Sequence, residues 1–176
     1  MSDYKSTLIR RLKFESKEVS EELAECNIIY TEAVNLFCSS VSDYCIQHKI
    51  KNPLDSFEKK EPSIKKQINN NFKSLFRKIA LQTHSDTSQT ESHRNSLEKA
   101  VEAKKEYNLV DLAGLAQEFK IDMSCFDYDD IRDLENSIEE KKQEIDSMHK
   151  SYPWVWYYSN THNKKTIIKE FILVNV

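Results

Sequence analysis

Apolar side chains recur every three or four residues along much of this chain. The longest such stripe runs from Val19 to His48, and Pro53 lies shortly after it. This spacing is typical of an amphipathic helix, and a proline stops a helix at or before the preceding residue. We therefore predict a long helix over residues 16–50, preceded by a polar, frayed segment and followed by a polar linker that ends at Pro62.

The same periodicity predicts four shorter helices after the linker. They span residues 63–83, 92–107, 109–119 and 129–150. The last of them carries a heptad-like stripe in which Lys141 takes one of the apolar positions. An aromatic run at 152–158 and an apolar tail rich in β-branched residues follow. For that tail we predict a strand or a docked extended segment.

These elements together predict an all-α fold, with a helical hairpin packed with long amphipathic, coiled-coil-like helices and at most a short C-terminal strand. The single glycine, Gly114, and only three prolines argue against a β-rich fold, whose turns need such residues. We divide the chain into three segments, residues 1–62, 63–122 and 123–176. The two long helices are expected to pair with each other or with a second copy of the chain.

The charge and the cysteine content of the chain limit the kinds of function that we expect. The net charge of −3 gives the whole chain no strong attraction to DNA or to anionic membranes. None of the four cysteines forms a C-x-x-C pair, so we interpret them as reduced, mostly buried side chains rather than a zinc or redox site. No apolar signal-peptide core follows Met1, and no apolar run is long enough to span a bilayer. We expect a cytoplasmic protein without cofactor or metal.

Other groups of residues give weaker signals. No Gly-rich phosphate loop, nucleophile elbow or catalytic triad is recognisable, so we expect a protein that is not an enzyme. The acidic residues around Asp129 lack the glycine and final glutamate of a calcium loop, and are interpreted as negative charge at a helix N-terminus. The aromatic run, with Lys164 and Lys165, is interpreted as local core rather than as a surface that stacks nucleic acid bases.

The most informative segment is LFRKIALQTHSD, from Leu75 to Asp86. An aromatic residue, two cations and an aliphatic-Ala pair precede a His-x-Asp tripeptide, and a polar loop and another amphipathic helix follow. This arrangement resembles the J-domain family of DnaJ-type co-chaperones, in a subgroup found in bacterial and phage proteins. The resemblance is good over residues 63–107, fair over 108–158, and absent from 1–50 and the C-terminal tail. Ser85 stands where the family has proline.

The resemblance implies an antiparallel hairpin whose basic helix and loop dock on an acidic surface of a DnaK-class chaperone and stimulate its ATP hydrolysis. The residues expected to bind this partner are Lys66, Lys73, Arg77, Lys78, His84, Ser85 and Asp86. The chain itself would do no bond chemistry, and its location would be the host cytoplasm if it is phage-encoded. Because proline fixes its own φ and restrains the preceding residue, Ser85 leaves the loop freer. It therefore predicts a weaker or altered interaction with the chaperone.

Two alternatives remain open at this point. The cations could be an ordinary solvated helix face, with His84 and Asp86 as loop or capping residues. The chain could also be a structural or assembly protein that keeps the J-like fold only as a scaffold and forms homo-oligomers through its long helices.

Overall fold

The computed structural model describes residues 2–56, 70–83 and 91–175, and this part of the chain is all-α, without a strand. The helices are α1 (Ser2–His48), α2 (Asn70–Thr83), α3 (Glu91–Lys105), α4 (Leu109–Glu118), α5 (Tyr128–Lys150), α6 (Tyr152–Tyr157) and α7 (Thr161–Asn175), with a 3₁₀ turn at Pro53–Ser56.

The chain forms two compact units. Unit 1 contains Met1–Glu22 and Ile64–Lys142, and unit 2 contains Leu23–Ser63 and Gln143–Val176. This division cuts across the three segments predicted from the sequence, because the long helices α1 and α5 contribute residues to both units.

In unit 1, α2 and α3 lie side by side and both contact α4. The rings of Phe72 and Tyr107 are 6.5 Å apart, and the Lys104 ammonium lies 4.4 Å from the centre of the Phe76 ring. Residue numbers rise along α2 as they fall along α3, so the two helices are antiparallel. The hairpin geometry expected for residues 63–107 is therefore present in its described part.

The first turns of α1 correct the prediction of a frayed segment at 1–15. Ile9, Leu12 and Ser16 are buried in unit 1, at spacings of three and four that continue the stripe from Val19 toward the N-terminus. The helix therefore begins at Ser2, about four turns earlier than the polar composition indicated.

The only glycine of the sequence serves close packing between α1 and α4. A Cβ atom at Gly114 would lie 3.2 Å from the Cα atom of Lys17. Non-glycine residues instead take the left-handed conformation after three helices: Lys49, Tyr107 and Lys120 have φ of 55°, 58° and 54°. Each is followed by an amide that bonds a carbonyl five residues back, the C-terminal arrangement in which glycine is usual.

Unit 2 has a core of its own, and it overturns the expectation of a strand or extended segment in the C-terminal tail. That tail is helix α7, whose Ile168, Phe171 and Ile172 are buried with Phe37 and other residues of α1. Their spacing of three and one places them on one helical face, so packing outweighs the strand preference of the β-branched residues. The buried core also includes the following: Val41, Cys45 and Trp156.

Candidate functional site

The exposed face of α2 is the candidate site. Phe72, Leu75 and Ile79 are buried against the rest of unit 1, whereas Lys73 and Arg77 are exposed. The two cations are four residues apart, so they lie one above the other on a helix. We call the surface formed by Lys73 and Arg77 the basic face. The structure therefore places these two predicted residues where a partner can reach them.

Leu81 adds an apolar side chain to the end of the basic face. It follows Arg77 by four residues and is 76% exposed, which is high for a leucine. In the sequence, Leu81 is part of the segment LFRKIALQTHSD. Its i,i+4 spacing from Arg77 was a signal that could have placed it on the surface. An exposed leucine next to two cations gives the surface both charge and apolar area.

A further cation comes from α3. Lys104 places its ammonium over the half-buried Phe76 ring, next to Arg77 in the sequence. A cation–π contact of this kind contributes about 0.5–1 kcal/mol at an exposed site. It also holds α2 and α3 together and adds positive charge beside the basic face. Lys104 could not be identified from the sequence, because its contact with Phe76 exists only once the hairpin has formed.

Lys78, one of the residues expected to bind the partner, makes an intramolecular contact. Its ammonium donates to the Asp122 carbonyl at 3.0 Å, which ties α2 to the segment before α5. Lys13 donates to the Ile121 carbonyl at 2.7 Å in the same segment. Lys78 therefore stabilises unit 1, and the basic face consists of the two cations that point away from it.

The electrostatics of this segment follow from those contacts. The Ser124 hydroxyl, the largest cause, holds the pKa of Asp122 below its usual range, and the charges of Lys78 and Lys13 act in the same direction. Burial lowers the pKa of Lys13, and the Asp122 carboxylate partly opposes that shift. Because its pKa is lowered, the Asp122 carboxylate is charged at neutral pH.

The predicted loop residues His84, Ser85 and Asp86, and the basic residue Lys66, lie outside the described residues. The last described residue before the predicted loop is Thr83, which is buried. Its hydroxyl donates to the Ile79 carbonyl at 3.0 Å. The helix is therefore fixed by packing as far as the residue next to His84.

Other candidate groups from the sequence have structural roles. Asp127 accepts hydrogen bonds from the backbone amides of Asp129 and Asp130, each at 2.9 Å, and so caps α5. The prediction of negative charge at a helix N-terminus is confirmed. Trp156, from the aromatic run, is buried in the core of unit 2, with the Lys164 ammonium 4.4 Å from its ring centre. Within residues 2–56, 70–83 and 91–175, no three His, Cys, Asp or Glu side chains group as metal ligands.

Comparison of the chain with protein-family models, with curated proteins and with solved structures finds no match. In the part of the chain that the structure describes, none of the helices has the length and apolar character to cross a membrane.

Proposed function

We propose that this protein is a J-domain-like adaptor that binds a DnaK-class chaperone through the basic face of α2 and the adjoining His84-Ser85-Asp86 loop. The observation that carries the proposal is the exposure of Lys73 and Arg77 on a helix whose other side is packed into an antiparallel pair. The sequence LFRKIALQTHSD supplies the resemblance to the family.

The physical support is electrostatic. Two cations held one turn apart on a rigid helix, with a third on α3, present a fixed positive surface. Such a surface attracts an acidic partner, speeds its association and fixes its register. Neither Lys73 nor Arg77 forms an ion pair among the described residues, so docking would not first have to break an ion pair with any of them.

The test is a titration of purified DnaK-class chaperone with the full chain, in ATP and at several salt concentrations. The double charge reversal Lys73→Glu with Arg77→Glu should weaken binding by about tenfold or more, because two attractive contacts become repulsive. Binding by the unchanged chain should weaken as salt rises. Because both side chains are exposed, helix content measured by circular dichroism should not change.

Helix α7 offers a matched control. Lys165 and Lys169 are also exposed and four residues apart, but they lie in unit 2. Reversing both to Glu changes the net charge by the same amount without touching α2. This control variant should bind the chaperone nearly as tightly as the unchanged chain.

The loop is tested by Ser85→Pro, read out as chaperone ATP hydrolysis. Proline would restrain His84 before contact, saving an ordering cost on the order of 1 kcal/mol, and stimulation of hydrolysis should increase. Absence of chaperone binding, or equal loss in both charge-reversed variants, would contradict the adaptor function. A stable homo-oligomer that ignores the chaperone would instead favour an assembly protein with a J-like scaffold.

A further inference from the structure

Unit 2 contains a cysteine–histidine pair that the sequence spacing does not reveal. Cys26, in α1, and His149, in the last turn of α5, bring Sγ and Nε2 to 3.4 Å, a hydrogen-bonding distance for sulfur. They are 123 residues apart in the sequence. The Trp154 ring lies against the imidazole, with ring centres 4.4 Å apart, and holds it beside the thiol.

The four cysteines have different surroundings. Burial raises the pKa of both the Cys38 and the Cys45 thiol, and a raised pKa suppresses the reactive thiolate. Cys125 is exposed and lies in unit 1. Cys26 is only 7% exposed but has an imidazole at its sulfur, and His149 is itself exposed to solvent. A base within reach of a thiol is the arrangement that activates a cysteine nucleophile.

We propose that Cys26 is a modification site for small hydroperoxides, with His149 as its general base. The imidazole takes the thiol proton, and the sulfur attacks one oxygen of the peroxide. The S–O bond forms as the O–O bond breaks, and the leaving hydroxide, or the alkoxide of an organic hydroperoxide, takes the proton from His149 and departs as water or an alcohol. The sulfur is oxidised to a sulfenic acid and the peroxide is reduced, so no other reactant is needed.

The size of the oxidant favours this chemistry. Hydrogen peroxide is only slightly larger than water, and the Cys26 sulfur lies 3.4 Å from the Nε2 atom of the exposed His149. Because Cys26 is buried, we expect larger oxidants to react with its sulfur more slowly.

The test exposes the folded full chain to hydrogen peroxide for increasing times. The remaining thiols are then alkylated in denaturant and quantified at each cysteine by peptide mass spectrometry. We expect Cys26 to lose its thiol roughly tenfold faster than Cys38 or Cys45, and to gain one oxygen atom, since general-base assistance typically contributes at least that factor.

The variant His149→Gln should reduce the rate at Cys26 to that of Cys45. His48→Gln is the matched control, because His48 also lies in the last turn of a unit 2 helix, but its ring nitrogen bonds the Tyr44 carbonyl at 2.9 Å. This control should leave the rate at Cys26 unchanged. A variant that unfolds would oxidise quickly at Cys45. In that case the proposal is judged by the relative oxidation rates of the cysteines in the unchanged chain. Equal rates at Cys26 and Cys45 there, or a folded His149→Gln variant that oxidises as fast as the unchanged chain, would overturn the proposal.

Discussion

Asp111 joins three helices of unit 1, and its removal is the perturbation whose cost can be worked out most directly. Its carboxylate accepts the Ser20 hydroxyl of α1 at 2.6 Å and the Lys141 ammonium of α5 at 3.2 Å. A third donor is the side-chain amide of Asn108, which also caps α4. The side chain of Lys141 is only 16% exposed, so water could replace this carboxylate only in part.

The two partners should not be equally costly to remove. Asp111→Ala leaves the mostly buried ammonium of Lys141 without a counter-charge. Breaking a fully buried pair in this way costs about 3–5 kcal/mol, and partial solvation of Asp111, 35% exposed, reduces the expected loss to about 2–3 kcal/mol. Lys141→Met places an apolar side chain of similar length in the apolar stripe, and the carboxylate keeps Ser20, Asn108 and solvent. Its cost should stay within about 1 kcal/mol.

The assay is urea unfolding followed by circular dichroism, together with hydrogen exchange of the amides in α4. A loss of 2–3 kcal/mol should speed exchange in α4 by roughly 30- to 150-fold, at 1.4 kcal/mol per factor of ten. In the double variant the two losses should not add, because the cost of an unpaired ammonium disappears with Lys141. Glu102→Ala is the control, since it removes only an exposed pair with Lys105 and should cost about 0.5 kcal/mol or less. If Lys141→Met destabilised unit 1 as much as Asp111→Ala, the reasoning from burial would be refuted.

Two further predictions concern glycine. Gly114→Val should destabilise unit 1 by about 1–3 kcal/mol, because the added side chain would press on the backbone of Lys17. A urea midpoint no lower than that of the unchanged chain would contradict the close approach of α1 and α4. Lys120→Gly should stabilise the protein by about 0.5–1 kcal/mol, because Lys120 has a left-handed φ of 54° that glycine adopts without strain. A lower melting temperature would show that the lysine side chain contributes more stability than its backbone strain costs.

The helices themselves could be predicted from the sequence because each has a local signal. The periodic stripe of α1, the heptad-like stripe of α5 and the polar breaks between helices depend on residues near one another in the chain. The described residues confirm an all-α fold and place α3, α4 and α5 within two residues of the predicted bounds. The exposure of Lys73 and Arg77 followed from the same periodicity, since the buried face of α2 determines the opposite one.

Tertiary packing determines the structure of the two ends of the chain, where amino-acid composition led to a wrong prediction. The N-terminal turns looked frayed because they are rich in polar residues, yet Ile9 and Leu12 are buried in unit 1. The C-terminal tail looked like a strand because it is β-branched, yet Phe171 packs edge-on to Phe37, with ring centres 5.1 Å apart, and stabilises a helix. In both places the burial of a few side chains outweighs a propensity of about 1 kcal/mol or less per residue.

The sequence could not indicate which side chains contact one another between distant segments of the chain. The heptad-like pattern predicted the position of Lys141 on the inner stripe, but its carboxylate partner lies 30 residues away on another helix. Nothing in the sequence indicated that Lys78 donates to the Asp122 carbonyl, which is 44 residues away. Cys26 and His149 meet only because α1 and α5 lie together in unit 2. Periodicity fixes which face of a helix turns inward, whereas the residue that meets it there depends on contacts between distant segments, and those exist only in the folded chain.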